Sequence, residues 1–544
     1  MLKKYKVVVL LAVLISGVAA VRVNNDKLFE ITKNLEIFVS AYKELNTNFA
    51  DELDPGTLMR TAIDAMTKSL DPYTNFFSES QAESYWLNDD ERYQGIGAKM
   101  DMIDGQLTIV EPYEKGPANR AAIKAGDVIV SIDGTNVSGR NMEEVNIMLR
   151  GLPGTDVQLG IKSLKDNKTD VRKVTRGEVN IPNVPYSGFV DDNVGYISLT
   201  TFTQMAGANI QKALKDFKDE NPDIAGVILD LRQNGGGLLH EAVNICNIFV
   251  PKDETIVTTK SKIKERDQTF RTTNNPIDLD IPLAVLIDGR SASASEIVSG
   301  VMQDLDRGVL IGQRSFGKGL VQNTKDLPYN ARLKLTTSKY YIPSGRCIQS
   351  VAYENGEPKH IPDSQRSKFR TKNKRTVLDG GGVSPDITTE VKELLPVTKA
   401  LLEQYIIFDY VNQYVKNKDS IASIDKFKFT QFDDFAGFVR KKNFTFTTEG
   451  EKALQEAKMA FEKSSDRQYA EDIKQIENKI AHAKSGELLR AKDQIIYEIE
   501  KEIVVRYYLQ KGKIQYSLRD DIDVKEAVSV LKDTKRYRKI LSGK

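Results

Sequence analysis

Three serines, Ser291, Ser293 and Ser295, alternate with Ala292 and Ala294, and further on Lys318 stands between two glycines in Ser315-Phe316-Gly317-Lys318-Gly319. A serine hydroxyl attacks a carbonyl only when a base takes its proton. Histidine is the usual base, but the chain has three, His240, His360 and His482, and none lies in the stretch from Ile281 to Gln322. Serine with lysine and no nearby histidine points to a Ser-Lys dyad, in which a desolvated lysine stays neutral and accepts the hydroxyl proton. The plain alternative is that the serines cap a helix and Lys318 is a surface charge.

Two apolar elements must position these residues. Ile281 to Ile287 is a short β-branched run closed by Asp288-Gly289 and predicts a core strand. Ile297, Val298, Val301 and Leu305 then recur at helical spacing, which puts the serine run at the first turn of a helix, beside unsatisfied N–H groups that could hold an oxyanion. Gly308 to Gly312 predicts a second strand leading to Lys318. The same residues come close to a phosphate loop, Gly312-x-x-x-x-Gly317-Lys318, but position 319 is Gly where a metal-holding hydroxyl is needed, and no helical pattern follows.

The strings SASASEI, QD and FGKG followed by VQ resemble the active-site signature of the C-terminal processing peptidases, the tail-specific proteases. The likeness extends to LDPYTNFF, GIGA, DLRQNGGGLL, YYIPSGRCIQ and GGGVSPDI, from about residue 35 to 390. It implies that Ser293 is the nucleophile, Lys318 the general base and Gln322 the residue that orients the lysine, with Asp304 on the QD of the pattern. It also implies an oxyanion hole drawn from the loop at Gly236 and from the N–H of Ala294. Where the family usually has Pro-Gly-Gly, this chain has Gly235-Gly236-Gly237, a change expected to loosen the loop without removing a donor.

The chain has 544 residues, enough for three or four domains, and its charges nearly balance at +2, so composition gives no reason to expect nucleic acid or an acidic substrate as partner. Two cysteines, Cys246 and Cys347, are too few for a disulfide scaffold. The start, MLKKYKVVVLLAVLISGVAAV, sets lysines before a short apolar run ending in small residues, the pattern of a secretory signal over residues 1–22. An uncleaved N-terminal anchor is the alternative. Either way the expected address is periplasmic, with attachment to the inner membrane in the anchored case.

Residues 26–90 carry a helical pattern, with Leu28, Ile31, Leu35, Phe38 and Val39 in one stripe expected to form intramolecular core, a dimer contact being the alternative. Residues 91–165 resemble a PDZ domain: Gly95-Ile96-Gly97 before a strand, GDVIVSIDG as another, a helix from Met142 to Leu149, then TDVQLGI. In such a module the glycine loop turns N–H groups toward a substrate's free C-terminal carboxylate while the tail adds as a strand. Residues 166–390 are expected to be the protease core, with strands Val194 to Leu199 and Ala225 to Leu231 and helices Met205 to Phe217 and Leu239 to Phe249. A glycine turn after the strand at Leu231 can lay main-chain amides against a ligand. From 393 to 544 the sequence is long, charged and helical, with isoleucine stripes at 473, 476, 480 and at 496, 499, 503; a packed helical domain is the expectation, an oligomer or adaptor surface the alternative.

The fold class expected is α/β, in the α+β sense: a mixed-sheet Ser-Lys protease core, a small PDZ domain, and helical N- and C-terminal regions. The function expected is an exported serine endopeptidase acting on proteins or peptides with free C-termini, without metal or cofactor. Its rival is a non-catalytic periplasmic tail-binding scaffold, which would have lost Ser293 or Lys318; both are present.

Overall fold

The computed structural model describes residues 27–79, 81, 92–349, 351–354, 357–360, 362–391, 393–463, 469–484 and 486–543. The expected signal peptide or anchor, 1–22, lies outside the described residues. No helix among them is long and apolar enough to cross a membrane. The described residues form two compact units: one joins those from 27 to 81 with Gln322–Thr336 and those between 353 and 359, the other takes the rest.

In the first unit a helix spans 27–48. Leu28, Ile31, Leu35 and Val39 on it are each more than half exposed, so the stripe expected to be intramolecular core lies at the surface. Helical periodicity marks a face that could be covered and does not say by which chain. The helix Pro55–Lys68 starts where Asp54 accepts the N–H groups of Gly56 and Thr57, with proline at its first position. After the turn, the Asp71 carboxylate accepts the N–H groups of Tyr73 and Thr74, both at 2.8 Å. The strand Asn75–Phe77 then pairs antiparallel with Arg332–Lys334.

The second unit contains three packed regions. The first is a small antiparallel sheet running Ala98–Ile103, Gln106–Pro112, Val128–Ile132, Asp156–Lys162, Thr169–Thr175. The helix Met142–Leu149 buries Val145 and Leu149 in its core, and Asn141 caps it by accepting the Glu144 N–H. The strand Thr169–Thr175 lies beyond residue 165 yet pairs along its whole length with Asp156–Lys162, so this sheet runs past that point.

The second region is a six-stranded sheet. Its strands run Tyr186–Asp191, Val194–Ser198, Gly226–Asp230, Leu283–Ile287, Val309–Gly312, Ile387–Thr388, and all pairs after the first are parallel. Both faces are apolar, as the parallel arrangement requires. Val227, Leu229, Val285, Ile287 and Leu310 point to one side, against the helices Ala206–Glu220, Leu239–Phe249 and Ala294–Asp304. Ile228, Ala284, Leu286, Val309 and Ile311 point to the other, against Val524, Ala527, Val530 and Leu531 of the helix Ile522–Lys532 and Tyr537 of Thr534–Ser542. The last two helices of the chain therefore form the second layer of this sheet.

The third region gathers Pro396–Glu403, Ile406–Val415, Phe432–Lys441 and Lys492–Ser517 around one apolar core. Tyr410 sits at its centre with Phe429, Phe435 and Phe438 edge-on to it at 5.8, 5.1 and 5.6 Å between ring centres. Ile499 and Ile503 of the predicted stripe are fully buried there, whereas Ile476 is exposed.

Leu531 is 1% exposed, and a Cβ on Gly226 would come within 2.9 Å of its side chain, so helix and strand are in close contact. Leu531→Ala should lower the free energy of unfolding by about 2–5 kcal/mol. Denaturant titration measures it; a loss below about 0.5 kcal/mol would show that the C-terminal helices are not part of this core.

Candidate active site

The central parallel strands deliver three loops at their carboxyl ends, the edge of an open α/β sheet where ligands are usually met. Gly226–Asp230 leads to the loop of Gly236, Leu283–Ile287 to Ser293, and Val309–Gly312 to Lys318.

Ser293 is the residue before the helix Ala294–Asp304, with φ 55° and ψ −113°. A non-glycine residue held there carries backbone strain of about 1–3 kcal/mol, which surrounding contacts must sustain. The three serines are not equivalent. Ser291 donates to Leu231 O at 2.8 Å and Ser295 to Asn234 O at 2.9 Å, and both are fully buried. Ser293 between them is partly exposed. The hydroxyls of its neighbours fasten the turn to the adjacent strand's loop, and Ser293 is the one a substrate could reach.

Glu296, fully buried in the first turn, holds the site together. One of its oxygens accepts the N–H groups of Ser293 and Lys318, each at 2.8 Å; the other accepts Gly317 N–H at 2.6 Å and the Ser315 hydroxyl. A single carboxylate thus binds the main chain of both proposed catalytic residues. Burial pushes it up to about 7, against the opposing pull of these donors. On the carbonyl side the Tyr340 hydroxyl lies within reach of Ser293 O, at 3.1 Å, and of Lys318 O. Neither residue was identified from sequence. Glu296 had a usable signal, since it follows Ser293 at capping-box spacing; Tyr340 had none.

The Gly236 loop fits against the serine turn. A Cβ on Gly236 would lie 2.8 Å from Ser293 Cβ and 2.9 Å from Ala294 N. Ala294, the first residue of the helix, presents one of the N–H groups that have no acceptor within a helix. Gly236 departs from the expected arrangement, because its N–H donates to Asn234 Oδ1 at 2.9 Å in an Asx turn. Asn234, also unrecognised from sequence, is wholly buried and staples the region further: its amide donates to Leu199 O at 2.7 Å and its carbonyl accepts Ala292 N–H at 3.0 Å.

Lys318 is half-buried, next to buried Leu320, while Phe316 is 50% exposed. Gln322 belongs to the first unit, where its side-chain amide donates to Thr336 Oγ1 at 3.2 Å. Asp304 stands at the far end of the helix that Ser293 begins, roughly 16 Å along its axis. It forms a buried ion pair with Arg346 at 2.9 Å and accepts Ser344 N–H at 3.0 Å, a structural pairing remote from the serine. Among the described residues no group of His, Cys, Asp or Glu has the arrangement of a metal site.

Gly95 ends the strand Arg92–Gly95, which pairs antiparallel with Gly177–Asn180, and Ile96 and Gly97 link it to Ala98–Ile103; all three are buried. Gly97 has φ +70°, and a Cβ there would meet Pro117 at 2.8 Å, so both conformation and space require glycine. Ala98–Ile103 is the terminal strand of its sheet, which leaves one edge for an added strand.

Residues 193–355 match the family described as peptidase family S41, residues 94–174 a PDZ domain, and residues 397–531 the C-terminal helical domain of a probable PDZ-protease. The chain is 34% identical over 346 residues to a carboxy-terminal-processing protease of Bartonella bacilliformis, spanning 63% of this chain and 79% of that protein. It is 34% identical over 313 residues to a probable CtpA-like serine protease of Staphylococcus haemolyticus, spanning 57% of this chain and 61% of that protein. Among solved structures, a photosystem II D1 C-terminal processing protease is 25% identical with a TM-score of 0.35, covering 66% of this chain and 94% of that one.

Glu296 generates a pH prediction. Its folded value of about 7 lies above its ordinary 4.5, so the folded state holds more protons between those values. Its contribution to stability is complete below about 4.5 and is lost as pH rises through about 7. Relative to Glu296→Gln, which does not titrate, the wild type should lose on the order of 3 kcal/mol between pH 4 and 8. Denaturant midpoints of both proteins across that range test this, and a constant difference would mean that the four donors offset the desolvation and leave the carboxyl unshifted.

Proposed function

Because the chain belongs to peptidase family S41, with the carboxy-terminal-processing proteases, and carries a PDZ domain, we propose that it is an exported serine endopeptidase that holds substrates by their C-terminal tails and cuts them with Ser293 and Lys318. The observation that carries this reading is the serine turn itself: Ser293 alone of the three serines is partly exposed, and its main chain shares Glu296 and Tyr340 with that of Lys318.

In this mechanism Ser293 Oγ attacks the peptide carbonyl while Lys318 Nζ, neutral, takes the hydroxyl proton. The lysine then delivers that proton to the leaving amine; neutral again, Lys318 takes a proton from the water that attacks the acyl-enzyme and returns it to Ser293 Oγ as the ester bond breaks. Ala294 N–H supplies one oxyanion donor. A donor from the Gly236 loop requires a peptide rotation away from Asn234 Oδ1, which glycines at 235, 236 and 237 permit. The role of Gln322 in orienting the lysine rests on the family resemblance. A substrate's terminal carboxylate would meet the Gly95–Gly97 turn, its tail pairing along Ala98–Ile103. Export rests on the signal-like pattern of residues 1–22.

Ser293→Ala should lower kcat/KM on an unstructured protein substrate by at least about a thousandfold, while tail-peptide binding, followed by fluorescence anisotropy, stays unchanged. Lys318→Arg should lose a similar factor, since guanidinium cannot accept the proton near neutral pH. Near wild-type cleavage by Ser293→Ala would exclude the assignment. Amidating a substrate's C-terminus should raise KM about tenfold or more; equal rates for acid and amide would remove tail capture and leave the dyad in place.

A further inference from the structure

Arg232 lies at the root of the Gly236 loop and is surrounded by three carboxylates. Its Nε and Nη2 form a fork with Asp230, with contacts of 3.0, 3.1 and 2.6 Å. Nη1 reaches Asp521 Oδ2 and Asp523 Oδ2, each at 2.8 Å. Tyr196 donates its hydroxyl to Asp230 at 2.7 Å from the neighbouring strand. Asp230 and Arg232 belong to the strand and loop of the sheet, whereas Asp521 and Asp523 come from the opposite end of the sequence. Asp521 caps the helix Ile522–Lys532, accepting the N–H groups of Asp523 and Val524 at 2.9 and 3.1 Å, and Asp523 sits in its first turn. Both carboxylates therefore have a fixed place: the apolar face of that helix is buried against the sheet, and its N-terminus favours negative charge.

We propose that Asp521 and Asp523 are positioning residues for the oxyanion loop, acting through Arg232. The steps are contiguous. Arg232 is followed by Gln233, held in a left-handed conformation at φ 61° with its N–H on Asp288 Oδ1 at 3.0 Å. Asn234 follows, fastened to Leu199 and Ala292, and then Gly236, in contact with Ser293 and Ala294. Of the glycines, Gly235 would meet nothing within 4 Å if it bore a Cβ, so the loop's freedom lies beyond its anchored root. A root held by a bidentate guanidinium confines the rotation that frees a donor N–H to the glycine peptides and returns that donor to one place. Without the C-terminal carboxylates, Arg232 keeps Asp230 and loses its link to the second layer of the sheet.

This inference rests on the proposed oxyanion role of the loop, and its test is separate from that of the nucleophile. In the full-length protein, Asp521→Asn and Asp523→Asn should each lower kcat about tenfold with KM within about twofold, because geometry at the reacting carbonyl changes while tail binding does not. Affinity for a peptide aldehyde, whose adduct with Ser293 needs the oxyanion donors, should fall by a similar factor, and binding of a free-acid tail peptide should not change. Asp523→Glu should recover part of the loss. A double-mutant cycle of Asp523→Asn with Arg232→Lys should be non-additive by at least about threefold in kcat. Unchanged kcat and aldehyde affinity in folded Asp523→Asn and Asp521→Asn would overturn the proposal, as would loss of aldehyde and tail affinity together, which would mean a general structural role. Should a single variant fail to fold, the lysine substitution at 232 alone still decides: unaltered kcat there excludes any path through Arg232.

Discussion

A buried carboxylate with four donors has little freedom to be anywhere else, and Glu296 is such a group. Removing a carboxylate from water is costly unless hydrogen bonds replace its hydration. The donors that satisfy Glu296 are the main-chain N–H groups of Ser293, Gly317 and Lys318 and the hydroxyl of Ser315. The cost of leaving any one unmade keeps the serine turn and the lysine loop in register. Tyr340 does the converse on the carbonyl side. With both groups in place, the separation of the two main chains is set by the fold itself, before any substrate arrives.

That register depends in turn on the sheet. The strands Gly226–Asp230, Leu283–Ile287 and Val309–Gly312 are adjacent, parallel and entirely buried, so their carboxyl ends cannot shift against each other without breaking ladder bonds and exposing apolar residues on both faces. The strain at Ser293 is sustained by this frame. Ser291 and Ser295, pinned to Leu231 and Asn234, hold the turn from either side, which explains the alternation of serine and alanine in physical terms: two hydroxyls serve the fold and the one between them stays accessible.

Elements whose pattern is local were legible in sequence. The helices Met142–Leu149 and Leu239–Phe249 fall on their predicted ranges, and the central strands within two residues of theirs, because periodicity, caps and turn pairs are properties of neighbouring residues. The serine and lysine stood out by type and spacing. The residues that tie them together did not: Tyr340 and Asn234 act on partners far along the chain, and nothing adjacent to them marks the role. Composition also misled in one direction. The charged, helical character from 393 onward suggests a region apart from the core, yet its last two helices supply Val524, Val530, Leu531 and Tyr537 to the sheet, since a parallel sheet with an apolar second face must be covered by some segment.

Gly235 shows how a departure from a family pattern can be read from space and not only from type. A proline there would have restricted the loop, but no atom lies within 4 Å of a Cβ built at that residue, so packing does not demand glycine. Gly236 and Gly237 are different: one faces Ser293 and Ala294, the other Phe202, and both have positive φ. The loop therefore combines two glycines fixed by close approach with one that is free, and the free one lies next to the Asn234 turn that engages the Gly236 N–H. Extra freedom at that point lowers the barrier to turning the Gly236 N–H away from Asn234 and equally to turning it back. Such a loop gains a defined geometry only from what fixes its two ends, which are Arg232 on one side and the contact with Ser293 on the other.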